Sequence, residues 1–139
     1  MENNNPKEAP FRALVLEDSQ DRVEEFKKRF KEKGWEGIYV DNVTDFEKKL
    51  LTEKYDIIFL DHDLEGQAYV NSEYYNTGAT AAKMIVKRRS ETKIKFPRII
   101  HSANPHGADS MFDTLRDSGA HAVKVSFVWL PKEFRAIFG

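Results

Sequence analysis

Cysteine is absent from the 139 residues. Disulfide scaffolds and thiolate metal sites are excluded with it, so any metal here must be held by oxygen and imidazole. A long apolar run is missing too: nothing approaches the ~20 residues of a membrane span. The opening Met1-Glu2-Asn3-Asn4-Asn5 lacks the basic and apolar regions of a signal peptide, and the expected location is the cytoplasm. An excess of either charge is also absent. Lys+Arg (22) against Asp+Glu (23) leaves a formal charge of −1, which removes bulk attraction to nucleic acid as an argument. There is no internal repeat and no Gly-rich phosphate loop. What remains, at this length, is a polar arm over residues 1–10 followed by a single folded domain over residues 11–139.

Within that domain, strand and helix patterns alternate. The apolar residues 11–16 are followed by Asp18-Ser19 and then by Val23, Phe26 and Phe30 at i, i+3, i+7, which predicts a strand, a cap and an amphipathic helix ended by Gly34. Residues 38–40 predict a second strand, and Asn42 or Thr44 a cap for a helix with Val43, Phe46 and Leu50 inside. Ile57-Ile58-Phe59-Leu60 is the continuous apolar run of a strand covered on both faces. Residues 64–76, with Gly66, Asn71, Asn76 and the tyrosines 69, 74 and 75, read as a long lid or binding loop. Thr77-Gly78 opens a third helix with Ala79, Ala82, Ile85 and Val86 inward. Arg98-Ile99-Ile100 makes a fourth strand, and Ala108, Met111, Phe112 and Leu115 a fourth helix stopped by Gly119. Val123, Val125 and Phe127 alternate as a fifth strand, and Phe134, Ile137 and Phe138 offer a short closing helix. Such alternation predicts βαβ units: a three-layer α/β/α sandwich around a five-stranded parallel sheet of flavodoxin-like order 2-1-3-4-5.

That order places a function. Ligands of open α/β sheets bind outside the carboxyl ends of the strands, near the switch between the first and third. Those ends carry Glu17 and Asp18, then Asp61, His62 and Asp63, then His101 and Ser102. The four carboxylates converge with no Lys or Arg anywhere between Tyr55 and Ala82 to neutralise them, so a cation is expected. An oxygen-rich site suits Mg²⁺ or Mn²⁺, and His62 or His101 as a ligand shifts the choice towards Mn²⁺. Such an ion polarises phosphoryl oxygens or activates water. The segment His101-Ser102-Ala103-Asn104-Pro105-His106-Gly107, small and polar at a helix start, suits a phosphate. His101 with either His62 or His106 supplies acid/base groups near neutral pH. Plainer roles exist beside these: Asp18 and Asp63 as helix caps, His106 as a loop cap, His121 as a surface or packing residue. The series Lys83, Lys87, Arg88, Arg89, Lys93, Lys95, Arg98 reads as a solvated face, or as a surface that steers a polyanion. A helical metal-phosphohydrolase is excluded, because His62-Asp63 follows a strand.

The motifs Leu14-Val15-Leu16-Glu17-Asp18-Ser19 and Tyr55-Asp56-Ile57-Ile58-Phe59-Leu60-Asp61, with Ser102 ending a later strand, resemble the response-regulator receiver domain. By that resemblance Glu17 and Asp18 match its Mg²⁺-binding acidic pair, Asp61 its phosphoryl acceptor and Ser102 its hydroxyl. Its fifth-strand lysine falls here on Ser126, with Lys124 two residues early. The combination Leu60-Asp61-His62-Asp63-Leu64 with Ile100-His101-Ser102-Ala103-Asn104-Pro105-His106-Gly107-Ala108 is similar to the receiver-derived family of cyclic-phosphate processing receiver domains. That resemblance implies a metal-dependent phosphoesterase opening a cyclic phosphate on a nucleotide or RNA end. Glu17, Asp18, Asp61 and Asp63 would hold the metal, Asp61, His62 and His101 act in catalysis, and Ser102, Asn104 and His106 contact phosphate. Two other readings are a stand-alone receiver phosphorylated on Asp61, and a receiver-like module that binds a protein partner through residues 127–138.

Overall fold

The computed structural model describes residues 11–64, 76–88, 98–101 and 104–125. Among them β1 (Arg12–Leu16), α1 (Gln20–Lys33), β2 (Glu36–Val40), α2 (Val43–Thr52), β3 (Ile57–Leu60), α3 (Gly78–Lys87), β4 (Arg98–Ile100), α4 (Pro105–Asp117) and β5 (Ala122–Lys124) follow one another. The strands form one parallel sheet in the order β2-β1-β3-β4-β5, as the alternation predicts. Register is set by apolar alternation: Leu14 and Leu16 pair beside Ile58 and Leu60, while Ala13 and Val15 pair beside Ile57 and Phe59.

The two faces of the sheet bury different cores. On one, Ala13, Val15, Ile57, Phe59 and Ile99 meet Phe26 and Phe30 of α1. On the other, Leu14, Leu16, Ile58, Leu60 and Ile100 meet Phe46 and Leu50 of α2, Ile85 of α3 and Met111 and Leu115 of α4. Each fully buried Phe, Leu or Ile contributes roughly 1.5–3 kcal/mol, so the two layers clamp the strand ends in place.

Local chemistry fixes the boundaries. Ser19 caps α1, its Oγ accepting from Arg22 N at 3.4 Å, and Gly34 ends the helix in the left-handed region at φ 73°. Asn42 caps α2, accepting from Asp45 N at 2.8 Å. β2 starts at Glu36, two residues before the predicted start, because Arg12 of β1 pairs with it. β5 spans Ala122–Lys124; of the predicted alternation Val123 lies in the strand, Val125 just past it with its N–H donating to Ile100 O at 2.8 Å, and Phe127 outside the described residues. Arg98 does not belong to a solvated face: it lies buried in β4, whereas Lys83 and Lys87 are exposed. The N-terminal arm, the tyrosine-bearing part of the predicted loop, Arg89, Lys93, Lys95, Ser102, Phe127, Trp129 and the closing helix fall outside the described residues. Among the described residues, no helix is long and apolar enough to cross a membrane.

Candidate functional site

β1 and β3 are neighbours, so their carboxyl ends deliver Glu17 and Asp61 to the same place. The chain continues both strands by one rung: Asp61 N donates to Leu16 O at 3.0 Å, and Glu17 N to Val40 O at 3.0 Å. Glu17, Asp18 and Asp61 each offer a carboxylate oxygen, all within 4.8 Å of one another. Glu17 and Asp61 are buried and Asp18 half-buried. Burial, reinforced by the neighbouring Glu17 carboxylate and a hydrogen bond shared with it, pushes Asp61 up to about 8. Glu17 goes the other way. Burial raises it, but the His101 hydrogen bond and charge, the Ser19 N–H and Arg22 together hold it below its ordinary value. Three crowded carboxylates that can shed their repulsion only by protonation or by a cation form a donor set suited to a hard divalent ion.

His101 continues β4 in the same way, its N–H donating to Leu60 O at 3.0 Å. Its buried ring packs edge-on against Phe26 at 5.2 Å between centroids, and Nε2 lies 3.0 Å from Glu17 Oε1. The carboxylate acceptor places the ring proton on Nε2.

The remaining predicted residues gather elsewhere. His62 is buried with Nδ1 2.7 Å from Asp63 Oδ1, and Asn104 Nδ2 donates to that same oxygen at 3.0 Å. Asn104 Oδ1 accepts from Gly107 N at 3.0 Å, which makes Asn104 the cap of α4 and engages both ends of its amide. A Cβ on Gly107 would run into the His62 ring, so the first turn of α4 approaches closely only because position 107 is glycine. Asp63 also bridges to Thr77, and Gly78 N donates to His62 O at 2.9 Å, which pins both ends of the 64–76 segment beside the site. Four converging carboxylates were expected. The structure brings together three, because Asp63 is drawn to His62 and Asn104. His106 is exposed in the first turn of α4 and does not cap it.

One residue was missed. Arg22 Nη1 lies 3.7 Å from Glu17 Oε1 and 4.0 Å from Asp61 Oδ2, so the acids do have a basic neighbour. Along the chain, no Lys or Arg lies between Tyr55 and Ala82. The cation instead comes from the first turn of α1, which starts where β1 ends and turns back over the acidic pair. Its spacing from the Ser19 cap was the available signal. Lys124, the shifted lysine of β5, is exposed, pairs with Asp109 of α4 at 2.6 Å and lies 5.0 Å above the Phe112 ring. Beside the triad opens a cleft of about 300 Å³ lined by Glu17, Asp18, Lys27, Tyr39, Asp41 and Asp45 among others.

The family model of the cyclic-phosphate processing receiver domain matches residues 12–117. Among solved structures, the chain is similar to the response regulator TrrA of Thermotoga maritima in complex with Mg²⁺-BeF, at 23% identity and TM-score 0.63, covering 92% of this chain and 99% of that one. A two-component response regulator from Clostridium difficile gives 21% identity and TM-score 0.64, covering 91% and 94%. TrrA in complex with the histidine kinase ThkA gives 24% identity and TM-score 0.62, covering 93% and 99%. No curated protein matches the chain.

Proposed function

Because the chain belongs to the cyclic-phosphate processing receiver domain family, we propose that it is a metal-dependent phosphoesterase that opens a cyclic phosphate on a nucleotide or RNA end. The single observation that carries the reading is the His101–Glu17 pair, an imidazole held 3.0 Å from an acid of the triad with both groups buried. Phosphorylation of an aspartate needs no such group. Ring opening does, because hydrolysis adds hydroxide to phosphorus and a proton to the departing ribose oxygen as one P–O bond breaks.

The residues divide the work. Glu17, Asp18 and Asp61 would hold Mg²⁺ or Mn²⁺, an ion that supplies Lewis acidity at the phosphoryl oxygens. His101, when both ring nitrogens are protonated, would give its Nε2 proton to the leaving oxygen and become a neutral imidazole that keeps its other proton on Nδ1. Phe26 packs edge-on against that ring. His62, Asp63 and Asn104 act as positioning residues: His62 N donates to Asp61 Oδ1 at 2.9 Å and so aims that carboxylate, while Asn104 ties the start of α4 to the same network. A cleft of about 300 Å³ is large enough to take a nucleoside-sized group beside the reacting phosphate.

The test is hydrolysis of a 2′,3′-cyclic nucleotide with Mg²⁺ or Mn²⁺. Turnover that is lost in Asp61→Asn and in His101→Ala is expected; no turnover, or turnover indifferent to both changes, overturns the reading. Incubation with a small phosphodonor and intact-mass measurement distinguishes the alternative, a signalling receiver phosphorylated on Asp61. A stable adduct lost in Asp61→Asn would establish that role instead.

A further inference from the structure

The cleft beside the triad has linings of unlike character. Glu17 and Asp18 of the triad border it, Val23 of α1 with Tyr39 and Val40 of β2 gives it an apolar wall, and Asp41 and Asp45 add further carboxylates. The wall is held in place. The Tyr39 ring stacks on Phe30 at 6.2 Å between centroids, and a Cβ on Gly37 would run into its hydroxyl, so glycine there lets the ring lie along the strand. Asn42 orders the two acids. Its Nδ2 donates to Asp41 Oδ1 at 2.7 Å and to Asp45 Oδ2 at 2.9 Å, while its Oδ1 accepts from Asp45 N at 2.8 Å. Among the described residues, no donor meets the second oxygen of either carboxylate. Lys27 lines the cleft as well, its Nζ 5.6 Å from the centre of the Tyr39 ring, so a cationic occupant would meet an ammonium. A flat, uncharged group that presents N–H donors fits these walls.

We propose that this cleft is a base subsite that selects guanine, with Asp41 and Asp45 accepting from the N1–H and N2–H groups of its Watson–Crick edge and Tyr39 as the wall. The inference rests on the reading above that a nucleotide phosphate is bound at the triad, and it adds which nucleotide. Ionised carboxylates accept hydrogen bonds and donate none. Guanine offers adjacent N–H donors on that edge. Adenine and cytosine offer an amino group beside a ring-nitrogen lone pair, and uracil an N–H flanked by carbonyl oxygens, so each of these sets an acceptor against a fixed negative charge. Asp41 and Asp45 lie outside the triad, between β2 and the first turn of α2, so reading the base and holding the metal fall to different residues.

The test is calorimetry on the full chain with Mg²⁺ in excess, titrating 3′-GMP, 3′-AMP, 3′-CMP and 3′-UMP, which carry base and phosphate but no ring to open. The readout is the ratio of affinities, because loss of a carboxylate alters the attraction of every anion alike. The wild type should bind 3′-GMP at least ~10-fold more tightly than 3′-UMP, the worth of a hydrogen bond to a charged group. Asp41→Ala/Asp45→Ala should bring that ratio to about one, since the acceptors that discriminate are gone. The α2 cap survives in that variant, because Asn42 Oδ1 still accepts from the backbone N–H of position 45. Tyr39→Leu should weaken all four nucleotides by on the order of fivefold or more and keep the ratio, since stacking on an aromatic ring tolerates any base. No binding of any nucleotide, a wild-type ratio near one, a ratio unchanged in the double variant, or Tyr39→Leu without effect overturns the proposal. Selective binding by a protein that leaves 2′,3′-cyclic GMP intact would uphold the subsite and overturn the esterase reading. Equal turnover of all four 2′,3′-cyclic nucleotides with no selectivity in binding would do the reverse.

Discussion

Asp61 and His62 are neighbours in the chain and belong to opposite kinds of environment. On the Asp61 side, three carboxylates crowd within 4.8 Å, one of them pushed up to about 8, and an arginine stands off at 3.7 to 4.0 Å. On the His62 side, a buried imidazole, a carboxylate and an amide satisfy one another at 2.7 and 3.0 Å, and the amide caps a helix. Among the described residues the first region is electrostatically incomplete, and the second is closed. An incomplete arrangement costs stability and persists where a ligand completes it, whereas a closed one holds the backbone. On the proposed reading the same dipeptide separates chemistry from support.

The two histidines give the sharpest way to break this comparison. His101→Ala should lower kcat by roughly 10²–10⁴-fold, the usual worth of a positioned acid/base group. His62→Ala should instead unfold the protein more easily, by about 2–4 kcal/mol in urea denaturation, because it removes a fully buried ring and the imidazole partner of Asp63. Equal stability losses with equal turnover losses would erase the distinction between the regions. Next in size is Gly107→Ala. Its Cβ has to displace the His62 ring, and a cost of about 1–3 kcal/mol in thermal or urea unfolding is expected, against a gain from helix propensity alone. A stabilised variant would show that the closed region is slack.

The incomplete region has its own signature in pH. Asp61 is raised in the fold, so between its ordinary 3.8 and about 8 the folded chain keeps a proton that the unfolded chain has released. Stability therefore falls as pH rises through that window, with a slope of at most ~1.4 kcal/mol per unit for one proton. Glu17 is lowered, so its contribution is present above its ordinary 4.5 and disappears as pH falls through its folded value, leaving the window above pH 5 to Asp61. Unfolding midpoints measured from pH 5 to 8 without metal should decline in the wild type and stay nearly flat in Asp61→Asn. Addition of Mg²⁺ should raise the midpoint more at pH 8 than at pH 6. A flat wild-type profile would mean that the triad carries no strain for a ligand to relieve.

Much of this was readable from the chain. Strand order followed from five alternations of pattern, and the strand ends named Glu17, Asp18, Asp61 and His101 because parallel strands covered on both faces leave polar residues only where they emerge. What could not be read was direction. Asp61 and Asp63 both follow β3, yet only the first continues the ladder by donating to Leu16 O, while the second is bent away to bridge Thr77. Asn104, expected as a phosphate contact, caps α4 through the Gly107 N–H and also donates to Asp63 Oδ1, a contact made by tertiary packing that no local pattern shows. Arg22 lies only five residues from Glu17, but its approach to Asp61 crosses from a helix turn to another strand end, which no linear window contains.

Lys124 closes the comparison from outside both regions. The receiver resemblance offers a lysine at the end of the fifth strand as the cation of the phosphate, and a shift of two residues would keep Lys124 on the same strand face. The structure assigns it a different partner: its Nζ reaches Asp109 at 2.6 Å, both side chains are exposed, and the hydrogen bond to that lysine holds Asp109 below the usual carboxylate range. Exposed pairs of this kind contribute little, because solvent screens them and two long side chains lose freedom to make them. Lys124→Ala should therefore leave both the urea midpoint and the cyclic-phosphate turnover unchanged within error. A turnover loss in Lys124→Ala comparable to that of His101→Ala would instead place the phosphate-binding charge on β5.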